Sequence, residues 1–398
     1  IAGADIREFG LPAKGKILFD VLEAIETSQK PVVAALHGTV YGGGLETALC
    51  CHARIAVRST RFGLPEVKLG ILPGAGGTQR LPRIVGVERA LDIMVTGDPI
   101  GADEALSSGL ISELADDTAL LTQAIALARR IVAEKQPLRR VRDLDDKLGV
   151  VRADPAFFTR YRAKISQRTR GFLAPEAIVG CVEACVSMSF NDGVAHERKA
   201  FLSLMASEQS SAQRYGFFAE REAQKIPDLP AGTPLRPIKQ VGIIGAGTMG
   251  GGIAMCFANV GIPVVLVEVK QEALERGLGT VRKNYERSVK SGKMSTQDVD
   301  QRMALIRGNL ALESLGDCDL VIEAVFESMP VKQEIFGKLD VICKPGAILA
   351  SNTSALGLNE IAACTKRPQD VIGLHFFSPA NVMKLLEIVR GKLTAPDV

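Results

Sequence analysis

Tryptophan is absent from this 398-residue chain, and aromatic residues make up only 5% of it, so its cores must be largely aliphatic. No apolar run approaches the roughly 18–20 residues that a membrane-spanning helix needs, so no integral membrane segment is predicted. The formal net charge is only +3, and no basic run is interleaved with aromatic residues. The sequence therefore lacks the basic stretch that is typical of nucleic-acid-binding proteins.

The eight cysteines are scattered, without a C-x-x-C motif and without a His/Cys cluster at metal-ligand spacing. The sequence therefore predicts reduced thiols and no metal site, as in a cytosolic-type compartment. The bacterial cytoplasm is the predicted location, and the peroxisome is the alternative. The chain begins at Ile1 without a methionine, inside a motif, and we expect both of its ends to be truncated.

The length suffices for two or three domains, and the sequence pattern divides the chain into three parts. Short β-like runs, glycine turns and helical segments alternate first. A mainly helical region follows, and it ends in a linker with four prolines and a glycine at 226–239. Regular strand–helix alternation then indicates a parallel, doubly wound sheet. The fold class is α/β, with predicted parts at residues 1–130, 131–237 and 238–398.

Individual elements are predicted from apolar periodicity. In the first part a helix over 18–30 precedes a buried strand over 31–36, and a second strand lies at 55–57. In the third part a helix spans 248–260. The strands predicted there lie at 240–244, 263–268, 319–325, 346–350 and 371–375.

The stretch "VGIIGAGTMGGGIA" fits the dinucleotide-binding pattern G-x-G-x-x-G between a strand and a helix. The predicted cofactor-binding residues here are Gly245, Gly247, Thr248, Met249 and Gly250. The next strand ends on Glu268, which would accept hydrogen bonds from a ribose and repel a 2′-phosphate. The sequence therefore predicts NAD binding in preference to NADP; a glycine turn without a ligand is the alternative.

Polar residues follow two later strands of the same region. His375 ends one strand, and Asn352 and Ser354 follow another, so all three reach the carboxyl edge where ligands bind. Glu387 lies twelve residues after His375, far enough for the chain to double back and present its carboxylate to the imidazole. A His–Glu pair suits removal of a hydroxyl proton during hydride transfer. From spacing alone, a purely structural histidine remains the competing interpretation.

Residues 238–398 resemble the NAD-binding domain of 3-hydroxyacyl-CoA dehydrogenases. The matching stretches are "GIIGAGTMGGGIA", "VIEAVFESMPVKQEIF", "ASNTSALGLNEIA" and "GLHFFSPANVMKLLEIV". The resemblance implies that His375 is the catalytic base, with Glu387 as its partner. It also implies that Ser354 contacts the substrate hydroxyl region and that Glu327 and Lys332 contact the nicotinamide side of the cofactor. Members of the family have a further helical domain, which we expect to be missing after residue 398.

A different glycine cluster, "TVYGGGLETALCC", contains a carboxylate, Glu46, that would repel a bound phosphate. Glycine N–H groups can instead stabilise the oxyanion that develops on a thioester carbonyl during reaction. A second carboxylate, Glu66, follows in "RFGLPEVKLG". Two glutamates at one site have split pKa values, so one can act as base and the other as acid. The alternative is a pair of ordinary surface glutamates beside a helix-capping glycine run.

Residues 1–115 resemble the enoyl-CoA hydratase/isomerase (crotonase) superfamily, whose domain is a spiral of ββα units. The matching stretches are "AGADI", "HGTVYGGGLETAL", "FGLPEVKLGILPGAGGTQRL" and "TGDPIGADEALSSGLI". The resemblance implies that Ala4 and Gly43 supply the oxyanion-hole N–H groups, that Glu46 activates water and that Glu66 protonates C2. Glu66 alone would suffice to shift a 3-enoyl double bond. The family's first strands, which help to bind coenzyme A, are expected to be missing.

The two parts in this order resemble the bifunctional enzymes of fatty-acid β-oxidation. The resemblance implies acyl-CoA thioester substrates, NAD as cofactor, and either a thiolase partner or self-association. Hydration would produce a 3-hydroxyacyl-CoA, which the second site would oxidise. Two alternatives remain at this point: an isomerase joined to a dehydrogenase, and a chain that binds coenzyme A and NAD without catalysis.

Overall fold

A computed structural model describes residues 5–8, 18–230, 232–290, 292 and 294–398 of the chain. The chain divides into two compact units, residues 1–226 and residues 227–398. Among the described residues, no helix combines the length and the apolar character needed to cross a membrane.

The first unit alternates short strands with helices. Its strands are β1 (Val33–Leu36), β2 (Thr39–Tyr41), β3 (Ala53–Val57), β4 (Arg61–Gly63), β5 (Ile100–Gly101) and β6 (Glu113–Ala115). Its first helices are α1 (Leu18–Glu26), α2 (Gly43–Cys50), α3 (Gly77–Val85), α4 (Val87–Thr96), α5 (Ala102–Ser108) and α6 (Leu120–Ala133). The later ones are α7 (Gly149–Arg152), α8 (Phe157–Ile165), α9 (Leu173–Ser187), α10 (Phe190–Met205) and α11 (Glu208–Ala223). Short 3-10 helices lie at Ile6–Glu8, Pro65–Leu69 and Val141–Asp143.

The strands of the first unit form two three-stranded sheets within the described residues. One has the order β1-β3-β6 and is parallel, and the other has the order β2-β4-β5. The prediction of a buried strand over 31–36 is wrong in part, because the strand is Val33–Leu36 and its residues are partly exposed. The physical reason is that, among the described residues, β1 lies at the edge of its sheet and pairs with β3 alone.

The helices after residue 131 belong to the first unit and share its core. Phe158, Ile178 and Leu204, from α8, α9 and α10, are buried in one cluster with Leu45 of α2 and Met94 of α4. The close packing joins the helical region to the residues before it in one compact unit. The three-part division at residues 130 and 237 stays a prediction.

The second unit is a doubly wound α/β sheet, as predicted. Its strands are β7 (Val241–Ile244), β8 (Val264–Val267), β9 (Ile306–Asn309), β10 (Leu320–Glu323), β11 (Ile348–Ser351), β12 (Val371–Phe376) and β13 (Leu386–Arg390). Its helices are α12 (Thr248–Asn259), α13 (Gln271–Lys290), α14 (Thr296–Ala304), α15 (Met329–Ile342) and α16 (Leu358–Ala362). Short 3-10 helices lie at Leu312–Leu315 and Pro368–Asp370.

The strand order in the second unit is β13-β12-β11-β10-β7-β8-β9, and only β13 runs antiparallel to its neighbour. Alternate residues along the five strands β7, β8, β10, β11 and β12 enter two different cores. Ile243 packs with helices α12 to α14, whereas Ile244 packs with α15 and α16. Both faces of the sheet are therefore covered, and the loops at its carboxyl edge remain available for ligands.

Candidate active sites

The triple glycine of the first unit forms the entry to α2. Gly42 has a positive φ of 54°, which favours glycine, and its N–H donates to Gly63 O at 3.1 Å. A Cβ atom at Gly42 would lie 3.0 Å from Oε1 of Glu66, so this position also gives the carboxyl group its space. Gly43 is the first residue of the helix, where a backbone N–H has no partner within the helix.

Glu46 lies one turn into α2 and points into the protein, with only 3% of its surface exposed. Its Oε1 accepts hydrogen bonds from the N–H groups of Ala75 at 2.7 Å and Gly77 at 2.9 Å. Burial raises the pKa of Glu46, while these two donors and the positive charge of Arg80 act in the opposite direction. The donors therefore favour the ionised form of a buried carboxyl group.

Glu66 lies in the 3-10 helix Pro65–Leu69, and its environment is different. Its Oε2 is buried and has no hydrogen-bond partner among the described residues. Burial, and next the charge of Glu46, raise the pKa of Glu66 well above its ordinary value. The pair can therefore hold one carboxylate and one carboxylic acid side by side, which is the division of roles that acid–base catalysis needs.

The structure brings together the three predicted residues of this site that it describes, Gly43, Glu46 and Glu66. Ala4, the other predicted oxyanion donor, lies outside the described residues.

A third buried carboxyl group, Glu197 of α10, is a residue that sequence reasoning missed. It is fully buried, and it accepts hydrogen bonds from the N–H groups of Gly76 at 2.6 Å and Thr78 at 3.0 Å and from the Thr78 hydroxyl. Nothing local distinguishes it, because it lies more than a hundred positions away among other charged residues of a helix. The available signal was Gly193, one turn earlier, because a glycine within a helix can mark the face on which another helix packs closely.

The second glycine turn joins β7 to α12. Gly245 has a φ of 101°, and a Cβ atom there would lie 2.7 Å from Ala324 O. At Gly250 a Cβ atom would lie 1.8 Å from Gly245 O, whereas at Gly247 it would meet nothing within 4 Å. The turn is thus tightly packed on two sides and open at Gly247, next to the N-terminus of α12. This shape fits a pyrophosphate.

Thr248 and Glu268 line a cavity of about 350 Å³ beside this turn. Met249, which follows Thr248 directly, packs against the core of the unit instead. Oε2 of Glu268 accepts a hydrogen bond from Ala246 N at 3.1 Å, which holds the carboxylate at the end of β8. Sequence reasoning missed Gly277 of α13, where a Cβ atom would lie 2.3 Å from Ala246 O. A glycine outside the motif thus also shapes the cavity.

His375 and Glu387 lie directly opposite each other on the antiparallel strands β12 and β13. The chain doubles back between them, and the imidazole Nδ1 lies 2.7 Å from Oε2 of Glu387. The ring of Phe377 packs against the imidazole, with 4.5 Å between the ring centres. A carboxylate on Nδ1 favours the tautomer with a proton there, which leaves the Nε2 lone pair for a substrate.

Asn352 and Ser354 lie on the loop after β11. Oδ1 of Asn352 accepts a hydrogen bond from Phe376 N at 2.9 Å, so it fixes the strand end that carries His375. Ser354 is exposed, and its backbone N–H donates to Oε1 of Glu327 at 2.9 Å. These residues therefore gather at the carboxyl edge of the sheet with the His–Glu pair.

Lys332 is 1% exposed, and its ammonium is held by two carboxylates. Nζ donates to both oxygens of Glu323 at 2.8 Å and lies 3.2 Å from Oε2 of Glu327. Burial acts to raise the pKa of Glu327, but hydrogen bonds from Thr353 and Ser354 and the charge of Lys332 lower it to about 2. Lys332 thus reaches the loop through Glu327, and its predicted contact with the cofactor stays a prediction. Glu323 was missed because it lies inside the predicted strand 319–325, whereas in the structure it is the last residue of β10.

Two regions of the chain match known protein families. Residues 2–148 match the family described as enoyl-CoA hydratase/isomerase. Residues 240–398 match the family described as 3-hydroxyacyl-CoA dehydrogenase, NAD binding domain.

Curated relatives match along nearly the whole chain. The peroxisomal bifunctional enzyme of Cavia porcellus is 43% identical over 99% of this chain and 55% of its own length. The enzyme of the same name in Homo sapiens is 42% identical over 99% and 55%. The peroxisomal fatty acid β-oxidation multifunctional protein of Arabidopsis thaliana is 38% identical over 100% and 56%. The chain therefore spans about half the length of these relatives.

The order of the two regions is the order predicted from the glycine clusters, with the NAD-binding fold second. The chain thus carries a region of the enoyl-CoA hydratase/isomerase family followed by an NAD-binding region of the 3-hydroxyacyl-CoA dehydrogenase family, and over nearly its whole length it is similar to multifunctional enzymes of fatty-acid β-oxidation.

Proposed function

We propose that this chain hydrates 2-enoyl-CoA thioesters at Glu46 and Glu66 and oxidises the resulting 3-hydroxyacyl-CoA at His375. The observation that carries the first half is the unequal environment of the two glutamates. Glu46 accepts two backbone hydrogen bonds, whereas Oε2 of Glu66 is buried without a partner among the described residues. This difference supports Glu46 as the base and Glu66 as the acid.

In the proposed hydration, the carboxylate of Glu46 takes a proton from water as the water oxygen bonds to C3 of the enoyl group. Electron density moves through the conjugated system to the thioester oxygen, where the N–H of Gly43, at the start of α2, stabilises it. The carboxylic acid of Glu66 then gives its proton to C2. Ala4 is proposed as the second N–H donor on the strength of the resemblance alone.

In the proposed oxidation, Nε2 of His375 removes the proton of the 3-hydroxyl group. Glu387 holds the proton on Nδ1 and stabilises the imidazolium that forms. Bound NAD supplies the acceptor for the hydride from C3. Glu327 positions the loop of Ser354, because its Oε1 accepts hydrogen bonds from the N–H and the hydroxyl of Ser354.

The substitution Glu46→Gln separates hydration from isomerisation. With crotonyl-CoA, we expect hydration to fall by at least about 10²-fold, because the amide cannot take a proton from water. Migration of a 3-enoyl double bond, which needs Glu66 alone, should be largely retained. Both reactions are followed by the absorbance of the conjugated thioester, with Glu220→Gln on the exposed face of α11 as control. Full hydration activity in Glu46→Gln would refute the assignment of the base.

The peroxisome is the location that the relatives' names support, and the bacterial cytoplasm stays a prediction. A thiolase partner or self-association rests on the resemblance to the family alone. Light scattering of the purified chain, with and without a thiolase, measures both kinds of association. The non-catalytic alternative requires that the chain bind acyl-CoA and NAD without consuming either.

A further inference from the structure

Residues 75–78, which form the entry to α3 and its first two residues, are held by two carboxyl groups. Four consecutive backbone N–H groups, those of residues 75–78, donate alternately to Glu46 and Glu197. The first and third bind Glu46, at 2.7 and 2.9 Å, and the second and fourth bind Glu197, at 2.6 and 3.0 Å. Because peptide units are planar and joined through single Cα atoms, the orientations of successive N–H groups depend on one another. The turn therefore links the two carboxyl groups mechanically.

Glu197 is fixed in its place by close helix packing. Gly193 lies one turn earlier on α10, and a Cβ atom there would lie 2.1 Å from Oε1 of Gln79 on α3. The absence of this atom lets the two helices approach and brings Glu197 to the first turn of α3. Its side chain is fully buried as a result.

The hydrogen-bond directions around Glu197 are also fixed. Nε2 of Gln79 donates to Oγ1 of Thr78 at 2.9 Å, so the hydroxyl proton of Thr78 points to Glu197. The carboxyl group thus faces three donors: this hydroxyl and two backbone N–H groups. The ionised carboxylate accepts from all three, whereas an amide, like the protonated acid, would direct its own hydrogen against at least one of these donors.

We propose that Glu197 is a positioning residue of the hydratase site: it orients the 75–78 turn so that the other two N–H groups hold Oε1 of Glu46. This inference rests on the proposed hydratase function. Within the described part of the chain, Oε2 of Glu46 accepts no hydrogen bond, so it is the oxygen left for the substrate water. Holding Oε1 fixes the direction of Oε2, and a misplaced base loses much of its catalytic effect.

Amide hydrogen exchange tests the mechanical link without any turnover. The amides of residues 75–78 are compared at about pH 9, above the pKa of about 8 of Glu197, in the parent chain, in Glu197→Gln and in the exposed control Glu220→Gln. We expect Glu197→Gln to increase exchange at Ala75 and Gly77, which Glu197 does not touch, by at least about tenfold. The control should leave all four amides unchanged. Unchanged exchange at Ala75 and Gly77 in a folded Glu197→Gln protein would overturn the proposal.

Kinetics of crotonyl-CoA hydration at about pH 9, where Glu197 is ionised, give the second test. We expect Glu197→Gln to lower kcat by at least about tenfold while KM stays within about twofold, because substrate binding is not touched. If Glu197→Gln does not fold, Thr78→Ala replaces it; this variant removes one donor and should lower kcat less, and Thr78→Ser should restore it. If the parent is active and the folded variants have an unchanged kcat, the positioning role of Glu197 is wrong and the proposed hydratase function stands. An inactive parent contradicts the proposed function, and hydrogen exchange still decides the positioning role.

Discussion

Glu46, Glu66 and Glu197 of the first unit carry the same carboxyl group but have different hydrogen-bond partners. Glu46 accepts two backbone hydrogen bonds, Glu197 accepts three hydrogen bonds, and Oε2 of Glu66 accepts none within the described residues. Burial raises the pKa of all three, and hydrogen-bond donors act against this rise at Glu46 and Glu197. At the scale of single residues, the proposed roles of Glu46 as base and Glu66 as acid rest on the backbone N–H groups that reach Glu46.

Glu66→Gln should abolish both reactions of the first site. The amide cannot deliver a proton to C2, so hydration should fall by at least about 10²-fold. Isomerisation should fall with it, unlike in Glu46→Gln. The absorbance of the conjugated thioester reports both rates, and retention of isomerase activity in Glu66→Gln would refute its role in proton transfer at C2.

Stability of the first unit should fall as the pH rises, and Glu197 should cause part of this fall. Burial, and next the charge of Glu46, raise the pKa of Glu197 from 4.5 to about 8, against the donors of Gly76 and Thr78. Between these values the folded chain binds a proton that the unfolded chain releases. The free energy of unfolding therefore decreases with pH, by up to about 1.4 kcal/mol per pH unit for one group.

Urea denaturation followed by circular dichroism between pH 5.5 and 7.5 measures this slope. Glu197→Gln should make the slope less steep, because glutamine does not titrate. Glu46 of α2, Arg80 of α3 and Cys181 of α9 also lie near this carboxyl group, and these residues are the same in both proteins. An equally steep slope in the variant would show that Glu197 does not take up the proton.

At the scale of elements, local patterns were predictable and long-range contacts were not. The G-x-G-x-x-G turn, its flanking strand and helix, and the reversal that pairs His375 with Glu387 all depend on nearby residues. Glu197 and Glu323 became recognisable only when packing brought α10 against α3 and Lys332 against β10. The partial exposure of β1 likewise depends on which strands pair, because no local pattern fixes the edge of a sheet.

Gly250→Ala should destabilise the second unit and weaken NAD binding. A Cβ atom would lie 1.8 Å from Gly245 O, and this contact is with backbone, which cannot move aside without opening the turn. We expect a loss of at least about 1–3 kcal/mol of unfolding free energy.

Gly279→Ala is the matched control for this prediction. Gly279 lies within α13, and a Cβ atom there meets nothing within 4 Å. Alanine should stabilise this helix by about 0.5–1 kcal/mol. Thermal unfolding and NAD titration compare the two variants, and equal effects would contradict the packing account of Gly250.

At the scale of the whole molecule, the chain carries two units with separate cores and separate candidate sites. The sequence motifs sufficed to predict the α/β folds, the order of the two family regions and NAD as cofactor. They could not give the extent of the first unit, because the helices after residue 131 join its core through contacts that are distant in sequence. The proposed chemistry links the units, since hydration makes the alcohol that oxidation consumes.

Coupled turnover of crotonyl-CoA tests this central claim most directly. The parent chain should consume the conjugated thioester without NAD and should form NADH once NAD is added. Glu66→Gln should form NADH from 3-hydroxybutyryl-CoA but not from crotonyl-CoA, whereas His375→Gln should hydrate crotonyl-CoA and form no NADH from either. A parent chain that leaves crotonyl-CoA unchanged, or a Glu66→Gln chain that still forms NADH from it, would contradict the account.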